Sequence, residues 1–442
     1  MTQTQELEIF IPYEKEGEYL TLPFQMPENI DTFHLSYHYQ THQEHPEETP
    51  SGTFISTKAI NTIDLGLLNP QDEQVGVSGS NKTEIFINAI QATPGYQPQE
   101  LTPGEWKILI GAYKVASEGV TVTYRLTFTP KERQLFIGDI HTHTIASDGV
   151  LSVEELATHA KRHGLDFLAI TDHNQMVSAE SLRGINGISL IPGVEWTHYQ
   201  GHANFLGVDK PYVEPFFTHS DEEVKARFDS AHARGALIVI NHPFDPSCGF
   251  QFNINELPFD CLEIWNGPMR ESNLKAVGLW QSLLKSGQQI PAVGGSDYHK
   301  DGLFQILGGP CMGVYARANT PNEILNALRA GHSFIRFSPQ GPTIQLKADE
   351  CQMGDARVWE AGQAVQIEAS GLIAGDVIKV ITQSEDKTLF QAHSEGRAEL
   401  SFPVKAPGFV RVEILRTFRP GLPPLPALIS NPIYFLEETF DQ

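Results

Sequence analysis

The chain has 442 residues, 40% hydrophobic and 19% charged, an ordinary globular composition that excludes a disordered chain. With 31 Lys plus Arg against 54 Asp plus Glu, the formal charge is −23, so the surface on average repels nucleic acid and anionic membranes. At about 150 residues per domain the length suggests roughly three domains. No stretch reaches the ~18 consecutive apolar residues of a membrane helix. The start, MTQTQELEIF, lacks the basic residues and apolar run of a signal peptide. The four cysteines, Cys248, Cys261, Cys311 and Cys351, have no CxxC spacing and read as scattered buried thiols of a cytoplasmic protein. The unusual figure is 17 histidines.

Residues 1–133 read as a β domain. Phe33 to Tyr39 alternates apolar and polar positions, as do Trp106, Ile108, Ile110 and then Val122, Tyr124, Leu126, Phe128. Period-two alternation means strands with one wet face. Pro94-Gly95 and Pro103-Gly104 punctuate them, so an antiparallel sandwich is expected.

Near Gln134 the pattern changes. Phe136 to Ile140 reads as a buried strand. Ser152 to Glu155 fits a capping box that opens a helix, and Gly164 lies where that helix should stop. A strand follows at Phe167 to Ile170. A helix from about Asp221 to Arg234 precedes a strand at Ala236 to Ile240, and a helix from about Leu274 to Lys285 precedes one at Ile290 to Val293. Thr320-Pro321-Asn322-Glu323 opens another helix, with Gly331 past its end. Alternating strands and helices predict an α/β domain over 134–338. From 339 the β pattern returns, in Val365, Ile367, Ala369 and in Phe409 to Leu415, which predicts a second β-sandwich-like domain over 339–442.

Polar residues concentrate at the strand ends of the middle domain. Asp139, His141 and His143 alternate, so they share one face. Two imidazoles two residues apart can grip one ion, although His34 and His38 show that exposed strand histidines also occur here. Asp148 follows in a Ser-Asp-Gly turn. Thr171-Asp172-His173-Asn174, Glu195, Asn241-His242-Pro243 and Ser296-Asp297-Tyr298-His299 each follow or end an apolar run. Parallel α/β domains build their sites at the carboxyl ends of strands. Buried ionisable groups must be paired or metal-bound. His159, His163, His219 and His232 fall on helices or loops and read as solvated, and His332 as structural.

The string Gly138-Asp139-Ile140-His141-Thr142-His143-Thr144, followed by Ser147-Asp148-Gly149 and Thr171-Asp172-His173-Asn174, resembles the PHP (polymerase and histidinol phosphatase) superfamily of metal-dependent hydrolases, nearest to its CehA/McbA branch. The resemblance covers about Phe136 to Phe337. Ser430-Asn431-Pro432-Ile433-Tyr434 is a weaker match to that branch's C-terminus. It implies that the α/β domain is a distorted seven-stranded (β/α) barrel flanked by the two β domains. It also implies metal ligands at His141, His143, Asp148, His173, Glu195, His202, His242, Asp297 and His299, holding two or three divalent ions (Mn, Fe or Zn). Glu195 would bridge, and Asp139 would stand behind a ligand histidine and orient it. Asp172 is either a similar support or a strand-end cap.

The reaction implied is hydrolysis of a phosphate ester by a metal-bound hydroxide, since divalent ions lower the pKa of bound water toward ~7. Glu195, His242 and Asp297 are the candidate catalytic residues. Arg270 and Lys300 are candidate phosphate contacts or plain surface cations. The expected partner is a small anionic substrate rather than long nucleic acid or a membrane. A carbamate, ester or amide hydrolase is the second reading, and a non-catalytic metal- or carbohydrate-binding protein the third.

Overall fold

The computed structural model describes residues 2–49, 52–303 and 305–438. The chain divides into two compact units, residues 1–132 and 133–442.

The first unit is two antiparallel four-stranded sheets. One runs Gln3–Ile11, Val120–Pro130, Ile30–His38, Glu84–Asn88 in spatial order. The other runs Tyr19–Met26, Gly104–Lys114, Thr62–Leu68, Gln74–Ser78. The alternating residues read from the sequence face inward. Phe33, Leu35, Trp106, Ile108, Ile110, Val122, Tyr124, Leu126 and Phe128 are buried in one core. Each contributes roughly 1.5–3 kcal/mol of burial free energy. Strands His42–Thr49 and Gly52–Ala59 form a separate hairpin.

The strands and helices of the second unit are numbered from its own start: β1 (Gln134–Asp139), α1 (Val153–Arg162), β2 (Phe167–Ile170), α2 (Ala179–Leu182), β3 (Ser189–His198), β4 (Gly201–Leu206), α3 (Asp221–Ala233), β5 (Leu237–Ile240), α4 (Glu271–Lys285) after β6 (Cys261–Asn266), β7 (Ala292–Gly295), β8 (Cys311–Ala316), α5 (Pro321–Arg329) and β9 (Ser333–Arg336). Local chemistry sets the helix ends. The Ser152 side chain accepts from Glu155 N while Glu155 accepts from Ser152 N, a full capping box. Thr320 Oγ1 accepts from Glu323 N, with Pro321 in the first turn. Gly164 and Gly331, with φ of 81° and 72°, terminate α1 and α5 as glycines can. The strand expected from Ile290 begins two residues later, at Ala292, because Pro291 has no N–H for a ladder.

One sheet holds these strands in the order β7-β6-β5-β4-β3-β2-β1-β8-β9. β1 to β3 are parallel, as are β5 to β7, while β4 runs antiparallel to both its neighbours. The closed seven-stranded barrel implied by the resemblance is not formed. β1 pairs with antiparallel β8 on its other side, and the four-residue β7 ends the path. The two ends meet only just beyond the strands, at an isolated parallel bridge between Thr142 and Tyr298. There His143 N donates to Tyr298 O at 2.8 Å. That bridge brings the loops after β1 and β7 together.

Strand β9 continues the same sheet into Leu425–Ser430, Gly408–Arg416 and Val377–Thr382. A second sheet, built from Thr343–Ala348, Cys351–Gln352, Ala364–Leu372 and Gly396–Pro403, shares with these strands a core that includes Ile344, Leu346, Val365, Ile367, Val412 and Leu428. The residues after 338 therefore pack as facing sheets with a core of their own, yet belong to the same compact unit as β1–β9. Asn431 is the rivet. Its Oδ1 accepts from Ala292 N (2.7 Å), and its Nδ2 lies 3.1 Å from both Ala292 O and Ser333 O, with the side chain almost fully buried. Asn431→Ala is expected to lower the urea midpoint of this unit, at unchanged slope, by the equivalent of about 3 kcal/mol, because it orphans buried backbone groups. An unchanged midpoint would show that other groups take over those bonds.

Candidate metal centre

His141 and His143 follow β1, past a bend at Ile140, on either side of the bridged Thr142, and are fully buried. Asp139 does not orient either ring, contrary to the expectation. Its Oδ1 accepts from Ser296 N (3.1 Å) and His141 N (3.2 Å), and its Oδ2 from Gly308 N (3.0 Å) and the Ser296 hydroxyl. It is a staple between backbone segments, chosen because an ionised carboxylate can accept several donors at once. Burial pushes its pKa up to about 6 against the pull of those donors. Asp172 is likewise a support. It accepts from Thr144 N (2.7 Å), Thr144 Oγ1 (2.7 Å) and Ser147 Oγ (2.6 Å), and so holds the turn that carries Asp148.

Glu195, within β3, is the hub. It is fully buried, with His173 Nδ1 at 2.8 Å, His202 Nδ1 at 3.1 Å, His141 Nε2 at 3.2 Å, His242 Nε2 at 3.3 Å and His143 Nε2 at 3.5 Å. Asn241 Nδ2 donates to its Oε1 at 2.8 Å. Asp297 Oδ1 lies 3.0 Å from His143 Nε2 and 3.3 Å from His141 Nε2. Asp148 Oδ1 lies 3.2 Å from His299 Nε2, with His173 Nε2 3.8 Å from Oδ2. All nine residues expected as ligands thus come to one end of the sheet. Their donor atoms form overlapping groups, each within 4.8 Å: His141, His143, Glu195; His141, His242, Asp297; His143, Asp148, His173, His299; and His173, Glu195, His202. His242 and Asp297 both adopt positive φ, 25° and 51°. Non-glycine residues are held there only when their surroundings over-determine them.

The tautomers follow from the partners. His141 Nδ1 donates to Glu263 Oε1 (3.0 Å), His173 Nδ1 to Thr197 Oγ1 (2.7 Å) and His299 Nδ1 to Asp297 O (2.8 Å). Once the rings are neutral, each bond leaves Nε2 as the acceptor, that of His141 toward Glu195 and Asp297 and those of His173 and His299 toward Asp148, the usual second contact of a metal-binding imidazole. Buried and without a hydrogen bond are His141 Nε2, both ring nitrogens of His143 and Glu195 Oε2. They approach carboxylate oxygens or imidazoles closely but off the hydrogen-bonding direction. Orphaned buried groups of this kind are costly; a cation would take up Glu195 Oε2, His141 Nε2 and one nitrogen of His143, whose other nitrogen keeps its proton. The donor set therefore fits divalent ions.

The charges agree. Burial disfavours charge on His141, but Asp297, Glu263 and Glu195 outweigh it and hold its pKa well above the ordinary value. His242 is also raised against burial, by Cys248 and Glu195. Burial works against the charge on Glu195 as well, yet the surrounding histidines, His141 foremost, hold it well below the carboxylate range, and Asp297 is lowered in the same way. His143, in contrast, is lowered by burial. Protons on imidazoles balance the carboxylates without metal, and bound cations would displace them.

Several participants escaped the sequence reading. Glu263 holds His141 Nδ1, accepts from His242 N (2.8 Å) and lies 3.2 Å from Asn266 Nδ2. A lone glutamate inside the buried run Cys261–Asn266 was the available signal, since buried strands are otherwise near-continuously apolar. Cys248, expected as a scattered buried thiol, is half-buried and lies 3.7 Å from His242 Nδ1. Nothing in its sequence context marked it. Arg270 reaches Asn266 Oδ1 (3.1 Å) and Asp245 Oδ2 (3.3 Å), so it lies two contacts from Asp297 through Asn266. Lys300 is exposed and pairs with nothing among the described residues.

Close backbone approach also shapes the site. A Cβ on Gly295 would overlap His141 Cβ and crowd Glu263 Oε1. Gly295→Ala is therefore expected to lower bound metal, read by elemental analysis, roughly tenfold in affinity or more, although it removes no donor. Full metal content in this variant would show that β1 and β7 can part without disturbing His141.

Residues 139–257, from the end of β1 past β5, match the PHP domain. Over 119 residues the chain is 34% identical to the 5'-3' exoribonuclease Rnm of Salmonella typhimurium, covering 23% of this chain and 40% of that protein. It is 33% identical over 119 residues to the 5'-3' exoribonuclease Rnm of Escherichia coli, covering 23% of this chain and 41% of that one. The chain thus spans less than half the length of these curated relatives. Among solved structures it is similar to a two-domain protein of Bacteroides vulgatus containing a predicted PHP-like metal-dependent phosphoesterase, with TM-score 0.40 and 20% identity over 64% of this chain and 90% of that one. The PHP match, with the His, Asp and Glu groups, supports the PHP superfamily for the second unit. No helix among the described residues is long and apolar enough to cross a membrane.

Proposed function

We propose that the second unit is a metal-dependent phosphoesterase of the CehA/McbA-like branch of the PHP superfamily, with its chemistry confined to residues 134–338 and the flanking β regions as support. The observation that carries this reading is the set of buried, orphaned donor atoms on His141, His143 and Glu195. His141, His143, Glu195 and Asp297 would hold one ion, Asp148, His173 and His299 a second, and His202, His242 and Glu195 a third, drawn from Mn, Fe and Zn. When bound, such ions supply an activated water near neutral pH and positive charge for the phosphoryl oxygens.

The chain's residues do the rest. Glu263, Thr197 and the Asp297 carbonyl fix ring orientation, and Asn241 holds Glu195. Asp297, held ionised beside His141 and His143, carries no proton, so when two ions are bound His242, whose pKa is raised against burial by Cys248 and Glu195, is the group that gives the leaving group its proton. Arg270, turned from Asp245 toward the opening, meets the phosphate, with Lys300 as a more distant cation. Asp148, Glu195 and Asp297, with Glu263 behind His141, balance two dications but not three, so with three ions bound the pocket is cationic within a chain of charge −23 and favours a small anionic ester. The similarity to exoribonucleases favours a second reading, a short RNA phosphodiester.

The test offers the purified chain, with added Mn, a chromogenic phosphomonoester, a phosphodiester, a carboxylic ester and a carbamate, with His141→Ala as control. Turnover of a phosphate ester by the wild type alone is expected, and the preferred ester separates the two phosphate readings. Turnover of only the carboxylic ester or carbamate overturns both.

A further inference from the structure

Outside the nine residues discussed above, one more metal-binding group touches the centre. The donor atoms of His202, His242 and Cys248 all lie within 4.8 Å of one another. We infer that the position bounded by His202, His242 and Cys248 takes a thiophilic divalent ion through the Cys248 thiolate, so that the centre is chemically asymmetric; this rests on the metal-centre reading above.

Cys248 sits on the loop after β5, with Sγ 3.7 Å from His242 Nδ1. Ligands of one tetrahedral ion, with metal–sulfur near ~2.3 Å and metal–nitrogen near ~2.0 Å, are separated by about that much. His242 faces Cys248 through Nδ1 and Glu195 Oε1 through Nε2 (3.3 Å), so an ion beside the thiolate takes Nδ1 and leaves Nε2–H to the hub, and this position replaces the His202, His242, Glu195 site named above. Beside it, Asn241 is fully buried, donates from Nδ2 to the same Glu195 oxygen, and leaves its Oδ1 with no hydrogen-bond partner. A buried acceptor without a donor at this spot points to a cation. The thiol donates to Asp245 Oδ1 at 3.5 Å, and on binding the ion its proton is released to solvent as the sulfur–metal bond forms.

The other donor groups among the described residues offer only imidazole and carboxylate. Such donors admit Mn, Fe and Zn, with Mn the weakest bound, and a thiolate widens the margin of Zn and Co over Mn. The consequence is a mixed-metal centre, with one position selecting a softer ion than its neighbours.

The experiment strips the full-length protein with a chelator and reloads it with Co2+. Wild type is expected to show a near-ultraviolet thiolate-to-cobalt charge-transfer band together with the visible d–d bands. Cys248→Ser should lose the first and keep the second, and Cys351→Ser should keep both. In a separate loading from equimolar Zn2+ and Mn2+, Cys248→Ser should bind about one equivalent less Zn2+ than wild type. Visible bands without a charge-transfer band in wild type, or the same band in Cys248→Ser, would overturn the inference: the thiol would then only hydrogen-bond His242, and the metal-centre reading would stand. No cobalt spectrum in any of the proteins would overturn both.

Discussion

Glu195→Ala and His141→Ala are each expected to reduce turnover by roughly 10³-fold or more, with less bound metal and an unchanged far-ultraviolet circular dichroism spectrum. The magnitude follows from how many groups share these side chains. Glu195 lies within 3.5 Å of five imidazoles. Its removal takes away the one carboxylate that all five rings share, since Asp297 faces only His141 and His143 among them. His141 touches Glu195 and Asp297 through one nitrogen and Glu263 through the other, so its loss opens the centre and its support together. The fold should survive. The core around Trp196, Phe205, Phe228, Leu237 and Trp280 includes none of the nine residues expected as ligands. Wild-type rates in both variants would place the chemistry elsewhere.

Asp139→Ala is expected to cost about 3–5 kcal/mol of stability, the largest effect of any residue here that faces no substrate. It strands four buried donors: His141 N, Ser296 N, the Ser296 hydroxyl and Gly308 N. These belong to three separate segments, so no single rotation can satisfy them again. Asp139→Asn, which keeps the volume but gives up one acceptor oxygen, should fall between alanine and wild type. Urea unfolding followed at constant slope measures this. Metal affinity should drop as well, because the same bonds set the path of His141. If the alanine variant unfolds at the wild-type midpoint, the carboxylate is not the staple its contacts describe.

His141, His143 and His173 were legible because they lie in short contiguous strings, whereas His202 was expected only from the resemblance. Asp139 to His143 and Thr171 to Asn174 carry their own signal, and strand alternation already puts His141 and His143 on one face. Capping residues made α1 and α5 equally readable. What joins distant segments was not readable. Glu263 meets His141 across 122 positions, and Asn431 meets Ala292 across 139. No local pattern encodes such pairings. The closed barrel fails for a related reason. Whether β1 pairs with β7 or with β8 depends on which partner is nearer after folding, and the sequence of β1 suits either. Asp139 shows the limit in one residue: its burial could be inferred, but its donors could not.

The sheet that runs from β1 through β9 into Leu425–Ser430 has a bearing on engineering. Ile381, Phe409, Ile429 and Tyr434 pack in the same core as the strands under the metal centre. A gene segment that ended near residue 338 would expose the open edge of β9 and leave Ala292 and Ser333 without Asn431. A cut near residue 338 would therefore separate β1–β9 from Ile381, Phe409, Ile429 and Tyr434, partners in the same core. The boundary between the two compact units falls instead between Glu132 and Arg133.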